Sequence, residues 1–263
     1  MKIFIILVMP LLLLAKVHYA KVEPYESVIL KSAVSGLVID VNHDIEGKIV
    51  TSGRVIHIDD VLDRLNVKNS KQNIVLLKDM FELNKDIATT LKNTMQRQKS
   101  YYRRISKLST ASMTQKDNAF SVYSTAKTQY LSTREKIISL QKQILDIQFK
   151  VTQLEDTISK KSIVLKNKYL YRFLVRVGDF VTPGTPIARV DDANRAKLVL
   201  FLEAEELEGL DSKSIYFDGN KTDYKIDKVW KVADEKFISS YRAEIVIPAP
   251  KDIFSKLIKI EIK

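Results

Sequence analysis

The sequence predicts an elongated, multidomain chain of mixed α and β class. A long antiparallel α-helical coiled-coil hairpin interrupts a small β domain, and a small β-barrel domain follows. Three observations predict this. A short motif occurs twice, as EGKIVTSGRVIHIDD from Glu46 to Asp60 and as VGDFVTPGTPIARVDD from Val177 to Asp192. The segment between the copies has the periodicity of helices, and after the second copy the text returns to short strand-like runs. A repeat interrupted in this way implies one small domain assembled from both ends of an insertion.

The first element is an export signal, residues 1–20. Lys2 supplies its positive end, Ile3 to Ala15 is an apolar run broken only by Pro10, and a cleavage site follows Ala20. The run is thirteen residues long, short of the roughly 20 that a spanning helix needs, which favours a cleaved signal over an uncleaved anchor. The mature chain is then expected outside the cytoplasm. Residues 21–27 are expected to contribute little. Val28 to Lys31, Gly36 to Val41 and Arg54 to Asp59 are rich in β-branched residues, separated by turn formers, and read as strands.

From Lys68 to Lys161 there is neither Gly nor Pro. In the first arm an apolar seam steps by three and four through Ile74, Leu77, Phe81, Asn84, Ala88, Leu91, Met95, Gln98, Tyr102 and Ile105. The second arm continues it through Ala119, Tyr123, Ala126, Tyr130, Thr133, Ile137, Leu140, Ile144, Ile147, Val151, Leu154 and Ile158. Such a heptad seam is the mark of a coiled coil. The phase breaks between the arms, near 109–113, where Ser112 and Gln115 have the spacing of a capping box that starts a helix. A break with a cap favours a hairpin, residues 63–161, over one continuous helix. Strands resume at Tyr169 to Val175 and Pro186 to Val190. From 194 to 263 several short strand patterns and one brief helix at Glu205 to Leu210 suggest the barrel.

The formal charge is +11, or +9 without Lys2 and Lys16 of the signal. Between Lys68 and Lys161 stand 18 basic residues against 8 acidic ones, and from Ile87 to Lys116 there are seven basic residues and no acid. An export signal argues against nucleic acid as the partner, so the charge at one end of the helical segment points to an acidic partner surface there. Catalytic chemistry finds little support. There is no Cys, the Met residues are scattered, and His18, His43 and His57 lack a ligand cluster at metal-binding spacing. His57, between Ile56 and Ile58, reads as a surface-facing strand position. No G-x-S-x-G or phosphate-binding Gly loop occurs. Neither a metal, a cofactor nor an enzymatic activity is expected.

The order of signal, half motif, hairpin, half motif and barrel resembles the HlyD-like periplasmic adaptor, or membrane fusion, proteins of tripartite efflux and secretion systems. The resemblance rests on Gly36, Val38, Val41, Val50, Gly53, Ile56, Ile58 and Asp59 in the first half. In the second it rests on Gly178, Val181, Gly184, Ile187, Val190 and Asp191. It departs at Asn167, Lys168 and Tyr169, where the family usually has Pro and Gly. The resemblance implies that residues 21–62 and 162–193 form a lipoyl-like (barrel-sandwich hybrid) domain. It implies a periplasmic location, an association with the inner membrane through a transporter of ABC or RND type, a TolC-like outer-membrane channel as the second partner, and a homo-oligomeric ring. It further implies that Arg104, Leu108, Ser112 and Asp117, at the spacing of the family's tip motif but with a shorter gap between Leu108 and Ser112, bind the channel. A modifiable lipoyl Lys is not expected, because the coiled coil displaces the hairpin that would carry it. The family's membrane-proximal domain finds no obvious sequence here. An exported coiled-coil scaffold without a transporter is the alternative.

Overall fold

In the computed structural model of the chain, residues 16–234, 237–250 and 254–263 are described. The fold is mixed α and β with a long helical hairpin, as the sequence predicts. It divides into two compact units, a β unit formed by both ends of the chain and the helical hairpin between them.

In the β unit, β2 (Ser27–Lys31), β3 (Gly36–Val41) and β4 (Lys48–Ile58) precede the hairpin. After it come β5 (Ser162–Phe173), β6 (Phe180–Val181) and β7 (Pro186–Asp192). The six interleave in one sheet in the order β2-β7-β5-β4-β3-β6. Strands from the two sides of the insertion therefore pair with each other, β2 with β7, β4 with β5 and β3 with β6. Val38, Val55, Ile56, Ile58, Leu170, Val181 and Ala188 are all buried.

The turns around β6 depend on glycine. Gly178 and Gly184 have φ of +96° and +94°, values at which a Cβ meets the backbone. Gly53, the counterpart of Gly184 in the first copy, instead lies within β4, so the two copies differ here. Asn167 adopts φ +49° within β5. Asn is among the few residues with a side chain that tolerate this region. His57 is half-buried rather than surface-facing, and its neighbours Val55, Ile56 and Ile58 are all buried.

A second sheet of seven strands contains β1 (Val17–Pro24), β8 (Arg195–Glu203), β9 (Ile215–Phe217), β10 (Asn220–Thr222), β11 (Lys228–Ala233), β12 (Ser240–Pro248) and β13 (Leu257–Ile262). Their order is β10-β9-β13-β1-β8-β12-β11. The brief helix expected at Glu205 to Leu210 is two 3-10 turns, Ala204–Leu207 and Leu210–Ser212. The core joins Ala20, Val22, Leu198, Leu200, Leu202, Ile245 and Ile260.

The central strand β1 corrects one expectation. Residues 21–24 contribute substantially, since Val22–Pro24 pair with β8 and Lys21 with β13. Of the expected signal, residues 1–15 lie outside the described residues. Val17–Ala20 pair with β13, and Ala20 is fully buried. His18 bonds Glu206 at 2.7 Å, and Lys16 pairs with Glu203.

The same dipeptide closes both motif copies and serves two purposes. At the end of the first, the Asp59 carboxylate accepts the Val61 N–H at 3.1 Å, and Asp60 pairs with Arg64 at 2.7 Å, starting a helix. At the end of the second, Asp192 accepts the N–H groups of Asn194 and Arg195 at 2.8 and 3.3 Å, turning the chain into β8. Burial pushes the Asp192 carboxyl up. The two N–H donors and the charges of Lys168 and Arg195 outweigh it and hold the group below the usual carboxylate range.

Candidate functional site: the hairpin tip

The hairpin consists of α1 (Val61–Lys107) and α2 (Met113–Lys161). At 1.5 Å per residue each runs roughly 70 Å over its 47 or 49 residues. The seam read from the heptads is the face each helix turns to the other. Leu77, Asn84 and Ala88 are buried in α1, and Ala119, Ala126, Leu140 and Val151 in α2. Asn84, the polar residue in this row, satisfies its amide on the Met80 carbonyl at 2.7 Å. At the base, Lys161 donates to the Asp59 carbonyl at 2.7 Å and to Asp63 at 2.5 Å, tying the last turn of α2 to the first of α1.

The tip is a five-residue connection, Leu108 to Ser112. Leu108 ends α1 with extended backbone, its N–H bonding Ile105 at 3.1 Å. Ser112 opens α2 with the full capping box that the sequence predicts. Its hydroxyl accepts the Gln115 N–H at 3.2 Å, and the Gln115 side chain accepts the Ser112 N–H at 3.0 Å.

The four sequence-selected residues flank this turn. Arg104 is in the last turn of α1, Leu108 is its C-cap, Ser112 is the N-cap of α2, and Asp117 lies just beyond its first turn. All four are exposed. Ser112 is committed to the cap through its hydroxyl, which leaves Arg104, Leu108 and Asp117 as side chains available to a partner.

Sequence reasoning missed the aromatic support beneath the tip. Tyr102 stacks on Tyr123 with ring centroids 6.2 Å apart and leans on Phe120 at 5.4 Å. Phe120 lies beside the seam rather than on it, so a count of seam positions passes over it. Exposed Leu108 and Met113, the latter 75% exposed, add an apolar cap above.

Charge completes the site. Arg104 and Lys107 sit at the C-terminal end of α1, where they complement its dipole. The first turn of α2 carries no acid, so no acidic side chain offsets the positive end of that helix. With Lys99, Arg103 and Lys116 nearby in sequence, Asp117 is the single acid between Ile87 and Arg134. A positive, partly apolar end suits an acidic surface with apolar recesses.

The assembled fold is similar to that of MacA from Actinobacillus actinomycetemcomitans. The identity is 16% and the TM-score 0.70, over 94% of this chain and 78% of that one. The membrane fusion protein Spr0693 from Streptococcus pneumoniae R6 matches at 8% identity and a TM-score of 0.62, over 93% of this chain and 99% of that one. A MacA-MexA chimera containing the Pseudomonas aeruginosa MexA α-hairpin domain matches at 16% identity and a TM-score of 0.58, over 95% and 81%. No family model matches the sequence, and no curated protein does. The fold is that seen in solved membrane fusion proteins.

Proposed function

We propose that the protein is a non-enzymatic periplasmic adaptor of a tripartite export system, bridging an inner-membrane ABC or RND-type transporter and a TolC-like outer-membrane channel. The observation that carries the reading is the exposed, basic, capped tip at the end of a long two-helix arm. In this reading the six-stranded sheet is a lipoyl-like domain and the seven-stranded sheet a barrel, and these associate with the transporter. The hairpins reach outward, and Arg104, Leu108 and Asp117 engage the channel in the geometry that the Ser112 cap holds. Copies of the chain form a ring, because one hairpin cannot enclose a conduit and head-to-tail contacts close naturally. The chain enters the periplasm by its N-terminal signal.

Photo-crosslinking in living cells, read by mass spectrometry, tests this. Probes belong at Met113 in the tip and at Glu208, which is exposed. Glu206 is less suitable, because its carboxylate is engaged by His18 and by the Glu203 N–H. Capture of an outer-membrane channel from Met113 and of an inner-membrane transporter from Glu208 is the expected result. Envelope polymers alone at the tip would favour a scaffold instead.

A further inference from the structure

The β unit holds a cleft of about 950 Å³ that the adaptor reading leaves without a task. One wall is the face of the six-stranded sheet turned away from its core. Side chains alternate along a strand, so Arg189 and Asp191 of β7 share this face while Val190, buried, takes the other. Strand register places Tyr169 of β5 and Ser27 of β2 on either side of Asp191. Ile49 and Tyr171 extend the wall. The other wall comes from the seven-stranded sheet and its connections, with Glu23, Tyr25 and Phe254. Tyr169 and Phe254 approach each other from the two walls, ring centroids 6.3 Å apart.

Asp191 is the unusual member. It is 4% exposed, and its Oδ1 accepts no hydrogen bond. Arg189, on the same strand, holds its Nε 3.9 Å from that oxygen, beyond hydrogen-bond reach. Its N–H donates instead to the Ser27 hydroxyl at 3.2 Å, and its guanidinium lies over the Tyr171 ring at 4.7 Å. Of the other cations lining the cleft, Lys197 pairs with Glu244 at 3.2 Å and Lys21 is exposed to solvent. A buried carboxylate oxygen without a donor is costly, and such a group in a native fold calls for a partner.

The surroundings of Asp191 describe that partner. The cleft has the size of a small-molecule site, far more than one bridging water fills. Aromatic faces stack flat apolar bodies and attract cations. Tyr171 and Tyr25 already carry Arg189 and Arg195 on their faces. The rings of Tyr169 and Phe254, tilted 54° to each other, remain to receive a guest. Glu23 adds a second carboxylate, which disfavours an anion, and a cationic donor makes the stronger bond to a carboxylate.

We infer that this cleft binds an aromatic amine in its ammonium form, with its ring against Tyr169 and Phe254 and its N–H groups on Asp191. The site needs neither transporter nor channel, so its failure would leave the adaptor reading untouched.

Proflavine, a flat fluorescent cation with amino donors, serves as the probe. Titration with the purified, nucleic-acid-free full chain is expected to raise its anisotropy to saturation. Tryptamine should displace it at least about tenfold more effectively than indole propionate, which has the same ring and the opposite charge. Asp191→Asn should weaken binding about tenfold, and Phe254→Ala should weaken it severalfold. Phe180→Ala, an exposed site elsewhere in the same sheet, should leave it unchanged. Circular dichroism establishes which variants fold, and Phe254→Ala decides should Asp191→Asn fail to. Better displacement by indole propionate, parent-like binding by a folded Asp191→Asn or Phe254→Ala chain, or no saturation by about 1 mM would overturn the site.

Discussion

The β unit and the hairpin solve the problem of burial in opposite ways. In the seven-stranded sheet Ala20, Ala196, Leu198, Leu202, Ala243, Ile245 and Ile260 lose all contact with solvent, and they come from four strands far apart in sequence. In the hairpin only Leu77, Asn84, Ala88, Ala119, Ala126, Leu140 and Val151 are buried, along two long helices. Both units leave large apolar side chains outside, but one gathers its buried residues into a cross-strand core and the other spreads them along a narrow seam. The difference predicts where mutations damage the fold most.

The largest effect should come from the β core. Ile245→Ala opens a cavity in a dry, cross-strand cluster and should cost about 3–5 kcal/mol, whereas Leu140→Ala in the seam should cost about 2 kcal/mol, because two helices can close toward the gap. The single tryptophan, Trp230, lies in the β unit, so its fluorescence follows one unit while far-UV ellipticity follows the helices. Ile245→Ala should lower the fluorescence transition most, and Leu140→Ala the helical one. Equal shifts of both transitions in both variants would mean that the units unfold as one.

A smaller effect belongs to the cap. Ser112→Ala removes the hydroxyl that accepts the Gln115 N–H and should cost about 1 kcal/mol. Its mark should be faster hydrogen exchange confined to the first turn of α2, with Ser112→Asp restoring protection. Exchange unchanged at the tip would show that the cap is dispensable.

The smallest effect is that of pH, and it too separates the units. Glu261 sits between Lys259 and Lys263, whose side chains hold it at about 2. Asp192 and Glu206 are also lowered, their burial outweighed by backbone N–H donors and neighbouring cations. A carboxyl lowered in the folded state binds its proton less readily than in the unfolded chain. Its contribution is therefore complete above the ordinary carboxylate range near 4 and is lost as pH falls toward the folded value. The Trp230 transition should be flat from neutral pH to about 5 and fall below about 4, and Glu206→Gln should flatten that fall. A β unit that gained stability on acidification would contradict this account.

The two units also differ in how much of them the sequence shows. The seam was legible because Asn84, Gln98 and Thr133 are isolated exceptions in a long row of heptad positions without Gly or Pro, and local periodicity determines helix packing. The turn was legible through Ser112 and Gln115, two residues that carry their own hydrogen bonds. Strand β1 was not, because Val17–Pro24 adjoin an apolar leader and their partners in β8 and β13 lie far along the chain. Phe120 was passed over for a related reason: it lies off the a and d positions, and its partner Tyr102 stands on the other helix.

The measurement that bears most directly on the central claim is photo-crosslinking from Met113 in cells, comparing the native tip with an Arg104→Glu, Lys107→Glu tip. The account predicts one outer-membrane channel as the dominant product of the native tip and its loss on charge reversal. The same envelope polymers, or the chain itself, recovered from both tips would contradict it.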